Sequence, residues 1–294
     1  MLFRSTLRTE INFEQDKNYK PVLDQGFIGL VDHMGSDQSI VRAARVSYGE
    51  GTKTVLDDRN LIRYLMRHEH TTPFEMCELV FHIKLPIFVM RQLVRHRTAS
   101  MNEYSARYSL VTDEFYITNG ENIMPQSKDN KQGRSGEMDA TLKLAIQGDM
   151  QNIWNEAFKT YKLHLDSYNL ARETARSVLP VGSYTECYWK ANLKNFLHMI
   201  RLRADSHAQW EIREYANAMY NLAKPLFPLA IEAFEDYQVN SVKFSAGEFA
   251  LLKDLLLYKY NIDKLIEEHG GEKHVAQLFN LSLRELRELA SKVR

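Results

Sequence analysis

Gln92-Leu93-Val94-Arg95-His96-Arg97-Thr98-Ala99-Ser100-Met101-Asn102-Glu103-Tyr104-Ser105-Ala106-Arg107-Tyr108 is the stretch on which the reading of this chain turns. Its cationic or cation-capable side chains are Arg95, His96, Arg97 and Arg107, and only Leu93 and Val94 in its first half are aliphatic. Unpaired arginine is almost never buried, so the stretch is not core. It is either a solvated basic helix end or a polyanion site. Gln92, Arg95 and His96 stand at i, i+3 and i+4, one face of a helix, which favours a built site over scattered charge. Arginine suits phosphate because its planar fork donates two parallel hydrogen bonds and stays charged at any working pH. Small residues around Ser105 and Ala106 let backbone N–H groups approach an anion.

Composition narrows the ligand. The formal net charge is zero over 294 residues, so the positive charge is local, which suits a small polyphosphate better than a nucleic-acid duplex. A hydrophobic share of 44% with 26% charged residues is that of a soluble globular protein, long enough for one large domain or two smaller ones. Cys77 and Cys187 lie far apart, in no metal-ligand spacing, and fit a reducing cytosol. No run has the length of a membrane span, and the first fifteen residues lack the apolar centre of a signal peptide. A cytoplasmic protein is expected. Gly-rich phosphate loops are missing from the sequence, so arginines and hydroxyls must hold any dinucleotide.

The element pattern predicts an α+β fold: a small antiparallel sheet flanked by helices, helix-rich, with an appended C-terminal helical segment. Residues 1–20 read as a polar arm, and Leu23 to Met34 as a strand-like entry. A helix capped by Ser36 or Asp37 runs through Val46, and a second covers Leu56 to His68. Leu79, Phe81, Ile83 and Leu85 alternate as in a half-buried strand, and Pro86 suits the first position of the helix leading into the basic stretch. Phe115 to Thr118 reads as another strand, 125–140 as a polar loop, and Asn152 to Asn169 as a helix with an aromatic stripe. Helices are predicted over Ala171 to Leu179, Leu193 to Leu202 and Ser206 to Ala223. Residues 1–238 are read as a catalytic domain and 239–294 as a helical extension divided at Gly270-Gly271.

A second polar group gathers Arg201, Arg203, Asp205, His207, Gln209, Glu211 and Arg213. His207 and Glu211 are spaced for a metal pair, but no third ligand stands at a telling distance, so a hydrogen-bonded pair is the better reading. Two other classes remain open at this point. One is a nucleic-acid binder using residues 91–107; the other is a hydrolase with a metal on His207, Glu211 and His68 or His70. Cys187 has no neighbouring His or helix N-terminus to activate it and reads as an inert thiol.

Arg95-His96-Arg97 followed by seven residues and Ser105 resembles the signature of the flavin-dependent thymidylate synthases. Segments resembling that family recur in order at Val41–Ser47, His70–Glu75, Pro86–Gln92, Ala175–Pro180 and Leu202–Ile212, so the likeness spans about residues 22 to 237. The resemblance implies synthesis of dTMP from dUMP, with 5,10-methylenetetrahydrofolate as carbon donor, FAD as hydride carrier and NADPH as reductant. It also implies a homotetramer with sites between subunits. Carried over residue by residue, Thr72, Arg95, His96, Arg97, Glu103, Asn192, Lys194 and His198 match FAD positions. Lys194 stands where some relatives have Arg, and His198 where some have Asn. Gln92, Arg95, Glu103, Ser105, Ala106, Arg107 and Arg176 match the dUMP set, with Ser105 taken as a phosphate ligand and not a nucleophile. Arg203 matches the residue that acts on the uracil ring, with no covalent cysteine and no metal.

Overall fold

The computed structural model describes residues 16–47, 57–128, 131–247, 249, 262–279 and 281–293. Five strands form one antiparallel sheet in the order β1-β2-β3-β5-β4. They are β1 (Tyr19–Val22), β2 (Gly26–Met34), β3 (Glu78–Pro86), β4 (Ser100–Glu103) and β5 (Tyr184–Asn192). Alternation explains the central pair. Leu79, Phe81, Ile83 and Leu85 of β3 are fully buried, as are Cys187, Trp189 and Ala191 of β5 on the same face. The other face is polar and aromatic: Lys190 pairs with Glu78 at 2.7 Å, and the His82 ring stacks on Tyr188 at 4.8 Å.

The helices are α1 (Asp37–Arg45), α2 (Asp58–Arg67), α3 (Thr72–Glu75), α4 (Ile87–Leu93), α5 (Ala140–Asp166), α6 (Arg172–Ala175), α7 (Leu193–Arg203), α8 (Trp210–Ala223) and α9 (Pro228–Phe234). Helices α10 (Ile262–Glu268), α11 (Glu272–Leu278) and α12 (Leu283–Val293) follow. Phe196 and Ile200 of α7 and Ile212, Tyr215 and Met219 of α8 cover the apolar sheet face, and α1, α2 and α9 extend the same core. Asp37 does more than begin α1. Its carboxylate accepts from the N–H groups of Leu229 (2.7 Å) and Ala230 (3.0 Å), tying α1 to the first turn of α9.

Several elements differ from expectation. The arm contains β1, while residues 1–15 lie outside the described ones. Phe115 to Thr118 makes a single bridge, Phe115 to Ser183, through the Tyr116 N–H on the Gly182 carbonyl and the Tyr184 N–H on that of Glu114; the next N–H, of Ile117, turns to the Asp24 carboxylate instead of a strand. Helix α5 starts at Ala140, twelve residues before the expected Asn152, since Asp139 accepts from the N–H groups of Thr141 (2.9 Å) and Leu142 (3.1 Å). The helix expected over Ala171–Leu179 is one α turn followed by a 3-10 turn, Arg176–Val178. That expected from Ser206 begins only at Trp210, because Asp205 accepts from the His207 N–H (2.8 Å) and holds a turn. Strand β5 was not expected at all.

A buried charge cluster ties the C-terminal helix α12 to the main core. Arg63 of α2, 3% exposed, donates to Glu285 of α12 from Nη2 (2.9 Å) and Nε (3.2 Å), and to Glu232 (3.3 Å). Asp236 and the Tyr237 hydroxyl also accept from Arg63, and Arg67 meets Glu285 at 3.1 Å.

Candidate active site

Helix α4 begins after Pro86, whose fixed φ suits a helix start, and ends at the buried Leu93. The basic residues therefore follow the helix instead of lying on it. Tight turns, with the Arg95 N–H on the Gln92 carbonyl and the His96 N–H on that of Leu93, still keep Gln92 and His96 on one side. That side meets the end of α7. Arg203 donates from Nε to His96 Nε2 (3.0 Å) and from Nη2 to the Gln92 carbonyl (3.4 Å). Among the described residues Arg203 has no carboxylate partner, although it is only partly exposed. Burial lowers its pKa from the ordinary value. The Gln92 side chain donates to Gln209 (2.6 Å), which donates to the buried Glu211 (2.8 Å).

His96 has its pKa pushed down to about 4, first by burial and then by the neighbouring Arg203 and His198. At neutral pH it is the uncharged acceptor that the Arg203 contact requires. The unfolded chain takes up this proton near the ordinary 6.5 and the folded one only near 4. The stabilising contribution is thus complete above about 6.5 and is lost as pH falls toward 4. His96→Gln is expected to flatten this part of the pH profile of stability. Urea unfolding at pH 7 and pH 5 checks it, and an unchanged profile would exclude His96 as its source.

Glu103, Ser105, Ala106 and Arg176 line a cavity of about 300 Å³ beside β5. Glu103 accepts from Thr185 Oγ1 (2.8 Å). Arg107 does not line it: its side chain pairs with Glu173 at 3.1 Å, while its N–H donates to Ser105 Oγ (3.4 Å). Lys84, which sequence reasoning missed, forms part of the wall. It is buried, pairs with Glu114 and lies 5.6 Å from the Tyr184 ring centre. A lysine amid the alternating apolar residues of β3 was the available signal.

Lys194 and His198 line a second cavity, of about 310 Å³, with His70, Thr71 and Arg201 over the apolar Leu65 and Phe74. Asn192 caps α7 by accepting from the Asn195 N–H (2.9 Å). Thr72 faces a larger cavity of about 940 Å³ with Ser47 and His70. Glu69, at the turn shared by both, has a φ of +56°, a strained left-handed conformation for a residue with a Cβ. The His96 and His198 rings lie 6.3 Å apart, which joins the Arg203 corner to the second cavity. Within one chain the Ser105/Arg176 cavity and the Lys194/His198 cavity share no wall residue. Arg95, Arg97 and Arg176 are exposed, with no ion pair among the described residues.

The other polar groups of the second sequence cluster pair locally, Glu211 inside the fold and His207 at its surface. Glu211 accepts from Tyr116 (3.2 Å) and Arg134 (3.1 Å), and His207 turns to Asp205 (2.9 Å). Among the described residues no three His, Cys, Asp or Glu side chains gather in ligating geometry. Cys187 is 2% exposed and its thiol is pushed up to about 12 by burial and the nearby Glu103 and Glu186. Burial likewise pushes Cys77 up to about 11.

Known proteins resemble this chain in sequence and in fold. The family model described as "Thymidylate synthase complementing protein" matches residues 29–229. The chain is 51% identical to a flavin-dependent thymidylate synthase of Treponema denticola, over 83% of this chain and 91% of that protein. It is 44% identical to the one of Rickettsia bellii, over 97% of each. A crystal structure of the UMP/dUMP methylase PolB from Streptomyces cacaoi bound with 5-Br dUMP superposes with a TM-score of 0.68 at 35% identity, covering 75% of this chain and 99% of PolB. With a matched span that carries the Arg-His-Arg turn, the whole wall of the first cavity, most of the second and Arg203, the chain belongs to the flavin-dependent thymidylate synthase family.

Proposed function

We propose that the protein makes dTMP from dUMP, with 5,10-methylenetetrahydrofolate as carbon donor, FAD as hydride carrier and NADPH as reductant. The observation that carries this reading is Arg203, a partly buried guanidinium held by a neutral His96 and a carbonyl, with no carboxylate among the described residues to neutralise it. Such a cation is available to a ligand. Against the uracil ring it stabilises the negative charge that develops on the ring oxygens as C5 becomes nucleophilic. No side chain of this protein then needs to bond to the ring.

Ser105, the neighbouring backbone and Arg176 supply donors for the nucleotide phosphate in the first cavity, and Glu103 sits at its wall. The second cavity suits part of FAD by its chemistry: an apolar floor at Leu65 and Phe74 for a ring system, with Lys194, His198 and Arg201 able to meet its polar edge. Thr72, Asn192, Arg95, His96 and Arg97 complete this set. Bound FAD supplies the hydride chemistry; the chain binds, orients and excludes water. The separation of the two cavities in one chain, with three solvent-facing arginines around them, supports a homotetramer whose sites combine residues of different copies. The catalytic domain is residues 1–238, with 239–294 as the helical extension, in keeping with a matched span ending at 229. The reading includes a cytoplasmic location, in keeping with two free thiols, and no nucleic-acid or membrane partner. Among the described residues no helix is long and apolar enough to cross a membrane.

Purified protein is expected to be yellow and to release tritium from C5-labelled dUMP when FAD, NADPH and methylenetetrahydrofolate are present. A colourless protein that takes up no FAD and releases no tritium overturns the reading. In the same assay Cys187→Ala is expected to keep most of its turnover, since a buried, protonated thiol is no nucleophile. A folded, FAD-loaded but inactive Cys187→Ala protein would refute the non-covalent mechanism.

A further inference from the structure

We propose that Arg284, carried by the C-terminal helix α12, belongs to the cofactor cleft and pairs with a phosphate of the dinucleotide bound there. This rests on the FAD reading above but assigns a residue beyond the matched span, which ends at 229.

Arg284 lines the cavity of about 940 Å³ whose wall also holds Ser47, His70 and Thr72. That cavity shares Leu65, Glu69, His70 and Thr71 with the one holding Lys194 and His198. An extended ligand whose ring system lies over Leu65 and Phe74 can therefore pass the Glu69–Thr71 turn and reach Arg284. Two hydroxyls, Ser47 and Thr72, and one guanidinium form a donor set suited to a phosphate. Among the described residues of this wall Glu69 is the carboxylate, and it sits at the turn joining the cavities.

The placement of Arg284 is fixed by its neighbour in sequence. Glu285 is 6% exposed and locked to Arg63 (2.9 Å) and Arg67 (3.1 Å) of α2, and the adjacent Leu286 is 2% exposed. With α12 held on α2 in this way, the Arg284 guanidinium lies 4.4 Å from the centre of the Tyr64 ring, also on α2. Tyr64 in turn packs on the His68 and His70 rings, at 4.4 and 5.7 Å. The cation is thus oriented by an aromatic group at the cavity wall. Orientation before binding is what a phosphate contact needs in order to contribute affinity.

The test uses the full-length protein, with fluorescence titrations by FAD, by riboflavin, which has the ring but no phosphate, and by NADPH. One charge-assisted contact predicts that Arg284→Ala weakens FAD roughly 10- to 100-fold. Riboflavin should be unchanged, and Arg284→Lys should recover part of the loss. If NADPH weakens instead and FAD does not, the phosphate site stands and its occupant is NADPH. Unchanged binding of both dinucleotides overturns the proposal, as does an equal loss of FAD and riboflavin, which signals a collapsed cavity. Failure of the unsubstituted protein to bind FAD overturns the FAD reading itself, and this inference with it.

Discussion

Arg203→Ala is expected to lower turnover of dUMP by about 10²–10³-fold, the effect of removing one preorganised donor from a developing negative charge. Flavin content should stay near that of the native protein, because the Lys194/His198 cavity does not include Arg203. The substitution also removes one of the causes that keep His96 uncharged, so the His96 pKa should rise from its position near 4. Its ring proton signals, followed by NMR across pH 4 to 7, report this independently of activity. Arg203→Lys keeps the charge but loses the Nε donor to His96, so it should restore only part of the turnover. Normal turnover in Arg203→Ala would remove the guanidinium from the chemistry. Loss of flavin alongside activity would move Arg203 from ring activation to cofactor binding.

This contact marks the boundary of what could be read without coordinates. The basic turn was legible because Arg95, His96 and Arg97 cannot be core, and their spacing to Ser105 matches a known signature. Strand β3 was legible because its alternating residues are all large and aliphatic or aromatic. Strand β5 was not. Its inward residues are Cys187, Trp189 and Ala191, of unequal size, and Tyr188 on the outward face blurs the period. The missing strand matters because β4, with Glu103, pairs only with β5, so the edge carrying the first cavity was invisible. The Arg203–His96 contact spans 107 residues and depends on the ends of α4 and α7 meeting beside that sheet. Lys84 was overlooked because a lysine on a strand reads as solvent-facing, whereas here it lies on the central strand, with Glu114 and the Tyr184 ring against it.

Arg63→Met is expected to cost about 3 kcal/mol of stability, the low end for stranding a buried charge, because Arg67 still faces Glu285. Arg63 is the only cation of the cluster that is almost fully buried, and its carboxylate partners come from α12 and from the segment around α9. Removing it leaves Glu285, itself 6% exposed, with half of its compensation, while Glu232 and Asp236 can turn toward water. A second substitution separates charge stranding from lost packing. Arg63→Met combined with Glu285→Leu replaces both buried partners by apolar groups and should regain much of the loss, since a buried ion pair contributes little net over a packed hydrophobic pair. Urea unfolding of the two single variants and the double variant closes the cycle. Hydrogen exchange localises the damage: amides of 283–293 should lose protection in Arg63→Met before those of β3 and β5 do. A loss below about 1 kcal/mol would show that α12 is held by its apolar contacts alone. A large loss with uniform exchange across the sheet would instead make Arg63 a strut of the α2–α9 core, and α12 a passenger upon it.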